Sequence, residues 1–158
     1  MPMPELREEP AEEKNTRRES YYDYNGNRVA GEEGFVTRVQ ILNNKQQAIS
    51  ERYYDENGDP MAPEGTYYMA EYTYDSKGNR TREKYYDENG SLVLCLKGYA
   101  MIYREYDAYN RVDYEKFYGT DGGTIEIEDG AVAYRYEYDD NGELLRKRKY
   151  DWMDHEIE

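Results

Sequence analysis

The stretch "YYDENG" occupies residues 53–58 and returns unchanged at 85–90, 32 residues later. It belongs to a wider series. The dipeptide Tyr-Asp stands at Tyr22, Tyr54, Tyr74, Tyr86, Tyr106, Tyr138 and Tyr150, at intervals of 32, 20, 12, 20, 32 and 12. Leu42 and Tyr118 fill the two gaps if 20 and 12 alternate. A second landmark keeps the same period at Gly34, Thr66, Gly98 and Gly130, and a third keeps it at Val29, Met61, Val93 and Ile125. Three registers agreeing on one period mark a repeat array, each unit burying its apolar surface against its neighbours.

The turn chemistry says what the unit is made of. Asp55-Glu56-Asn57-Gly58 and Asp87-Glu88-Asn89-Gly90 end in Asn-Gly, where glycine accepts positive φ without a Cβ clash. Such a turn between β-prone runs is a hairpin signal. It recurs at Gly26 and Gly142, keeps its end at Gly78, and has Asn110 in the glycine place of "DAYN". The opening Asp is suited to accept hydrogen bonds from the turn amides. Three extended pieces per unit are predicted: one from the glycine landmark to a Tyr (98–106, 130–138), one between turns (47–54, 79–86), and a shorter one after the second turn (91–97). The expected fold is all-β, with about four tandem 32-residue hairpin repeats forming an elongated, twisted antiparallel sheet or a β-solenoid. Residues 15–151 form the array, the acidic, proline-bearing 1–14 a disordered or loosely helical tail, and 152–158 a frayed end.

Composition narrows the function classes. A net charge of −14 opposes binding to phosphate backbones and anionic lipid surfaces, so no nucleic-acid partner is expected. Tyrosine dominates the aromatics, with 21 Tyr against two Phe and one Trp, which suits a thin sheet with half-buried faces. No apolar run is long enough to span a bilayer, so membrane insertion is not expected. The N-terminal "MPMPELREEPAEEKNTRRES" has no apolar stretch of signal-peptide type.

Catalytic chemistry finds little to work with, and no enzyme is expected. The single Cys95 and the single His155 are the only candidates for a thiol–imidazole pair; a strand cysteine and a solvated tail histidine are the simpler reading. Zinc lacks ligands, and no glycine-rich phosphate loop precedes a helix. In the D-x-N-G turns, glycine follows the second oxygen-bearing residue at once, too early for a calcium loop. No cofactor or metal is expected.

Binding remains. Tyr53, Tyr67, Tyr85 and Tyr99 are the candidate contact residues, as exposed rows that lose little rotamer freedom on binding a protein or a sugar. The landmark tyrosines Tyr22, Tyr54, Tyr86 and Tyr118 are expected to pack with Val29, Met61, Val93, Ile125, Leu42, Tyr74, Tyr106 and Tyr138 as one narrow core. Glu51-Arg52, Glu83-Lys84 and Glu115-Lys116 read as a solvated ladder of little energetic weight.

At these motifs, as in "YTYDSKGNRTREKYYDENG", the chain resembles the YD-repeat family, the Tyr-Asp repeats of rearrangement-hot-spot and teneurin-type proteins. The resemblance runs over roughly residues 20–151. It implies strand-turn-strand units in a winding antiparallel sheet, at a bacterial surface or secreted. Large members wrap a shell around a toxin, and this chain is too short for that role. The alternation of 20 and 12 departs from the simple family repeat. A weaker likeness is to cell-wall and choline-binding hairpin repeats, which use Trp-lined slots; here the one Trp is Trp152. The expected function is a non-catalytic scaffold that meets a protein partner, the alternative a module that binds cell-wall glycan.

Overall fold

The structure is a computed structural model and describes residues 2–158. Among the described residues, eleven strands form one open antiparallel sheet whose order follows the chain. They are β1 (Glu5–Glu9), β2 (Thr16–Tyr22), β3 (Thr37–Leu42), β4 (Ala48–Tyr54), β5 (Met69–Tyr74) and β6 (Arg80–Tyr86). Then follow β7 (Met101–Tyr106), β8 (Val112–Tyr118), β9 (Ala133–Tyr138), β10 (Leu144–Tyr150) and β11 (Glu156–Ile157). The even strands β2 to β10 begin at residues 16, 48, 80, 112 and 144, and β3, β5, β7 and β9 at 37, 69, 101 and 133. A 3-10 turn at Pro63–Gly65 is the remaining element, and no helix of the described residues is long and apolar enough to cross a membrane.

The turns are built by the opening acid. Oδ1 of Asp23, Asp55, Asp75, Asp87, Asp107, Asp139 and Asp151 accepts backbone N–H bonds from the residues two and four ahead. One side chain thus satisfies two amides that the reversal strips of sheet partners. Asn43 does the same work with its amide oxygen, at 2.9 Å to Lys45 N and 3.0 Å to Gln47 N. The left-handed place falls on Gly in most turns, on Asn110 (φ 65°) as expected, and on Gln46 (φ 65°), which is not a residue suited to it.

Contacts divide the chain into two compact units. The first comprises residues up to Glu71 with Tyr85–Ser91. Its interior is a file of rings: Tyr21–Phe35 at 5.2 Å between centroids, Phe35–Tyr53 at 4.9 Å, Tyr53–Tyr67 at 6.2 Å and Tyr67–Tyr85 at 4.5 Å. Tilted contacts of this kind add about 0.5–1.5 kcal/mol each beyond area burial. Between β2 and β3 the chain makes an excursion that returns over the first ring. A Cβ on Gly31 would lie 2.3 Å from Tyr21 Cε2, so only glycine fits there. On the opposite face, Ser20 and Thr37 stand in register and share a 2.8 Å hydroxyl hydrogen bond, with Ser20 fully enclosed.

The second unit comprises Tyr72–Lys84 and Leu92–Glu158. Ile102 faces Phe117 across β7 and β8, and Phe117 stacks on Tyr99 at 5.2 Å and meets Tyr134 edge-on at 5.3 Å. Ala100, Ala131, Val132 and Ala133 are buried around them.

Several expectations need correction. The acidic segment read as a loose tail contains β1, paired with β2 from Glu5↔Tyr22 to Glu9↔Arg18. Glu9 is anchored there by Tyr22 Oη at 2.8 Å and by the guanidinium of Arg28. The frayed end likewise contains β11, in register as Tyr150↔Glu156. The strands after the glycine landmark start later, at Met101 and Ala133, and the third piece, 91–97, is a turn-bearing loop. The core lies one residue off the expected register: Val29, Met61, Val93 and Ile125 are half-buried, whereas Tyr53, Tyr85 and Phe117, which precede the landmark tyrosines, are buried. Both sets alternate with the same period, and the post-turn excursions decide the matter. Their backbone bonds return to the residue before the landmark, as in Val29 N to Tyr21 O and Ile125 N to Phe117 O.

Candidate functional site

The candidate contact tyrosines are not an exposed row. Tyr53, Tyr85 and Tyr99 are only 5–6% exposed, and Tyr67 is half-buried between Tyr53 and Tyr85. Burial, then the Glu51 carboxylate, pushes the Tyr53 phenol far above its ordinary range. Burial does the same to Tyr99. Tyr53, Tyr67 and Tyr85 lie together in the first unit, and Tyr99 packs in the second. Tyr53, Tyr67 and Tyr85 are members of the ring file, and Tyr99 stacks on Phe117.

Two surfaces of the second unit carry more chemistry. On the ring-bearing face, a groove of roughly 770 Å³ is lined by Tyr99, Phe117, Tyr134, Tyr136, Glu115 and Asp129, among others. Its floor is a chain of charge. Arg104 Nη1 donates to Glu83 Oε2 at 2.5 Å and its Nε to Glu115 Oε2 at 2.9 Å. Arg80 Nη1 donates to Glu83 Oε1 at 3.2 Å, and the Tyr136 hydroxyl donates to the other oxygen of Glu115. The Tyr134 hydroxyl donates to Asp129 Oδ2 at 2.5 Å. Strand pairing sets this order, since Arg104 stands opposite Glu115 and Glu83 opposite Ile102. Glu83 is therefore buried, and the ladder read as solvated is in this unit a half-enclosed ionic network. Carboxylates tied this way serve as acceptors that hold the arginine in place.

The other face is different in kind. Arg82, Lys84, Met101, Tyr103 and Tyr118 line a shallow pocket of about 280 Å³, with Lys116 and Arg135 on the same face. Arg82 lies over the Tyr103 ring at 5.3 Å, Arg135 over Tyr114 at 4.5 Å, and Lys116 over Tyr118 at 5.7 Å. Among the described residues none of these four cations pairs with a carboxylate, nor do Lys77, Lys97 and Lys147 elsewhere in the unit, whereas Arg80, Arg104, Arg111, Arg146, Arg148 and Lys149 do. The sequence holds the signal, in "TREKYY" and "DYEKFY", where cation and acid alternate along one strand and so part to opposite faces. Assigning the acids to solvent hides it.

Cys95 is half-buried at the start of a tight turn, with Gly98 N bonded to its carbonyl at 3.0 Å, and so is no strand cysteine. His155 faces Asp151 at 3.9 Å, and Trp152 is exposed. Compared with known proteins, the chain matches no family model and no curated sequence.

Proposed function

We propose that this protein is a non-catalytic scaffold of tandem 32-residue units of bacterial YD-repeat type, which recognises a protein partner through the cationic face of its second unit. The strand starts support the units, since each strand class recurs at 32-residue steps. The observation that carries the binding role is the unpaired set Arg82, Lys84, Lys116 and Arg135, interleaved with Tyr103, Tyr118 and Met101. Tyr, Met and Arg are the residues enriched where proteins meet, and cations without an internal carboxylate keep their ion-pairing capacity for another molecule. Cross-linking with physiological partners, comparing wild type with Tyr103→Ser/Tyr118→Ser, tests the reading. Partner capture should fall in the variant, and unchanged capture would refute this face as the contact.

A second reading is supported by the groove. The half-buried Tyr136 beside Glu115 and Asp129 combines a ring with hydrogen-bond acceptors, the chemistry that holds a sugar. Glycan-array binding lost in Tyr136→Ala would favour it over the protein-binding scaffold.

A further inference from the structure

We infer that the cationic face of β6–β9 docks an extended peptide segment carrying acidic side chains at alternate positions. This rests on the protein-binding reading above and adds the chemistry of the partner.

The geometry is that of a grid. Arg82 and Lys84 are alternate residues of β6, so their stems project from one face about 6.8 Å apart. Across the sheet, Arg82 pairs with Tyr103 and Tyr103 with Lys116, which places Arg82 and Lys116 two strands and about 10 Å apart. Met101 and Tyr103, on β7 between the cationic strands, provide an apolar stripe that ends at Glu105, which accepts a hydrogen bond from the Tyr103 hydroxyl at 3.3 Å. An extended peptide repeats its side chains at the same 6.8 Å step as β6. Its acidic side chains can therefore meet Arg82 and Lys84 in register while residues flanking the acidic run rest on the thioether and ring.

Charge selects the occupant. The chain as a whole carries −14, so its long-range field repels a uniformly charged polymer such as a sulfated glycan. A short acidic segment flanked by apolar residues meets the local cations within a Debye length, about 8 Å at physiological salt, and uses the rings as well. Arg82 and Lys84 are exposed.

Fluorescence anisotropy with a labelled peptide that alternates Glu with Thr and Ile tests this, against a control in which every Glu is Gln. Wild type should bind the Glu peptide, more weakly as salt rises, and not the Gln peptide. Arg82→Glu/Lys84→Glu should lower affinity about tenfold or more. Lys14→Glu, an exposed charge of the first unit, should leave it unchanged. Circular dichroism and urea melts check that the variants fold. Absence of Glu-peptide binding, equal binding of the Gln peptide, or equal binding by the double variant would each overturn the inference. So would tighter binding of a heparin fragment than of peptide, or self-association that the double variant abolishes, since either names another occupant. Glycan binding through Tyr136 with no captured protein would instead sink the scaffold reading itself. A captured partner indifferent to the double substitution removes only the grid.

Discussion

Arg104 holds Glu83 from the adjacent strand at 2.5 Å and reaches Glu115 on its other side at 2.9 Å, with both acids largely enclosed. Removing Glu83 leaves Arg80 and Arg104 each short of a carboxylate in a site that water reaches poorly. Glu83→Ala is expected to cost about 1–3 kcal/mol, far above a surface pair. Urea melts read it, and a cycle with Arg104→Met isolates the coupling. A cost as small as that of Lys84→Ala would show that the network carries no weight.

The buried register makes a second comparison. Phe117 is 3% exposed and touches Tyr99 and Tyr134, so Phe117→Ala should cost about 3–5 kcal/mol. Val93 is half-buried, and Val93→Ala should cost about 1 kcal/mol or less. Denaturant midpoints of the two single variants decide the order. The same order reverses what the landmark spacing alone suggests.

Why the turns were legible and the core was not follows from range. An Asp followed by Asn-Gly fixes its own local geometry, so the reversals at Asp55 and Asp87 and the left-handed Asn110 could be read directly. Tyr53 and Tyr54 are equally periodic and equally aromatic. Which of them is covered depends on where residues 28–34 and their counterparts fold back, a contact that no local pattern encodes. For the same reason Glu83 and Lys84 looked alike, though they point to opposite faces. β1 was hidden differently: "ELREE" has no apolar alternation, and its pairing depends on Arg18, Arg28 and Tyr22 far along the chain.

Gln46 occupies the left-handed place that glycine fills in most other turns, at φ 65°. Its amide bonds to Asn43 O at 3.0 Å, a contact glycine keeps. Gln46→Gly should therefore stabilise by about 0.5–1 kcal/mol, the relief of strain exceeding the added chain entropy. Thermal melts should show a higher midpoint, whereas Gly90→Gln at φ 82° should lower it.

Acid should loosen the turns. The Asp75 carboxyl is held below its usual value chiefly by the Asn79 backbone amide. For Asp107, some burial pushes upward but is outweighed by the backbone and guanidinium of Arg111. A depressed carboxyl contributes stability that is present above the unfolded value, near pH 3.9, and is lost as pH falls through the folded one. Asp75→Asn should thus flatten the acid limb of a stability–pH curve. At the alkaline end, Tyr68, pushed up to about 12 by burial and its bond to Tyr54, and Tyr86, pushed up to about 12 by burial and Glu71, act in the opposite sense. Their contribution is full below pH 10 and lost as pH rises toward 12, which tyrosinate absorbance would follow.

The strand order β1 to β11 has a consequence for how the chain is assembled in time. Every strand pairs only with its neighbours in sequence, so no pairing waits on a distant partner. Even the longer connections, such as that from Tyr22 to Thr37, close a short loop, and closure entropy grows only as the logarithm of loop length. Most all-β proteins fold slowly because their contacts are remote along the chain. Here the sheet can grow by accretion, hairpin after hairpin, as the chain leaves the ribosome. A duplicated or lost segment changes its length without rewiring what is already paired.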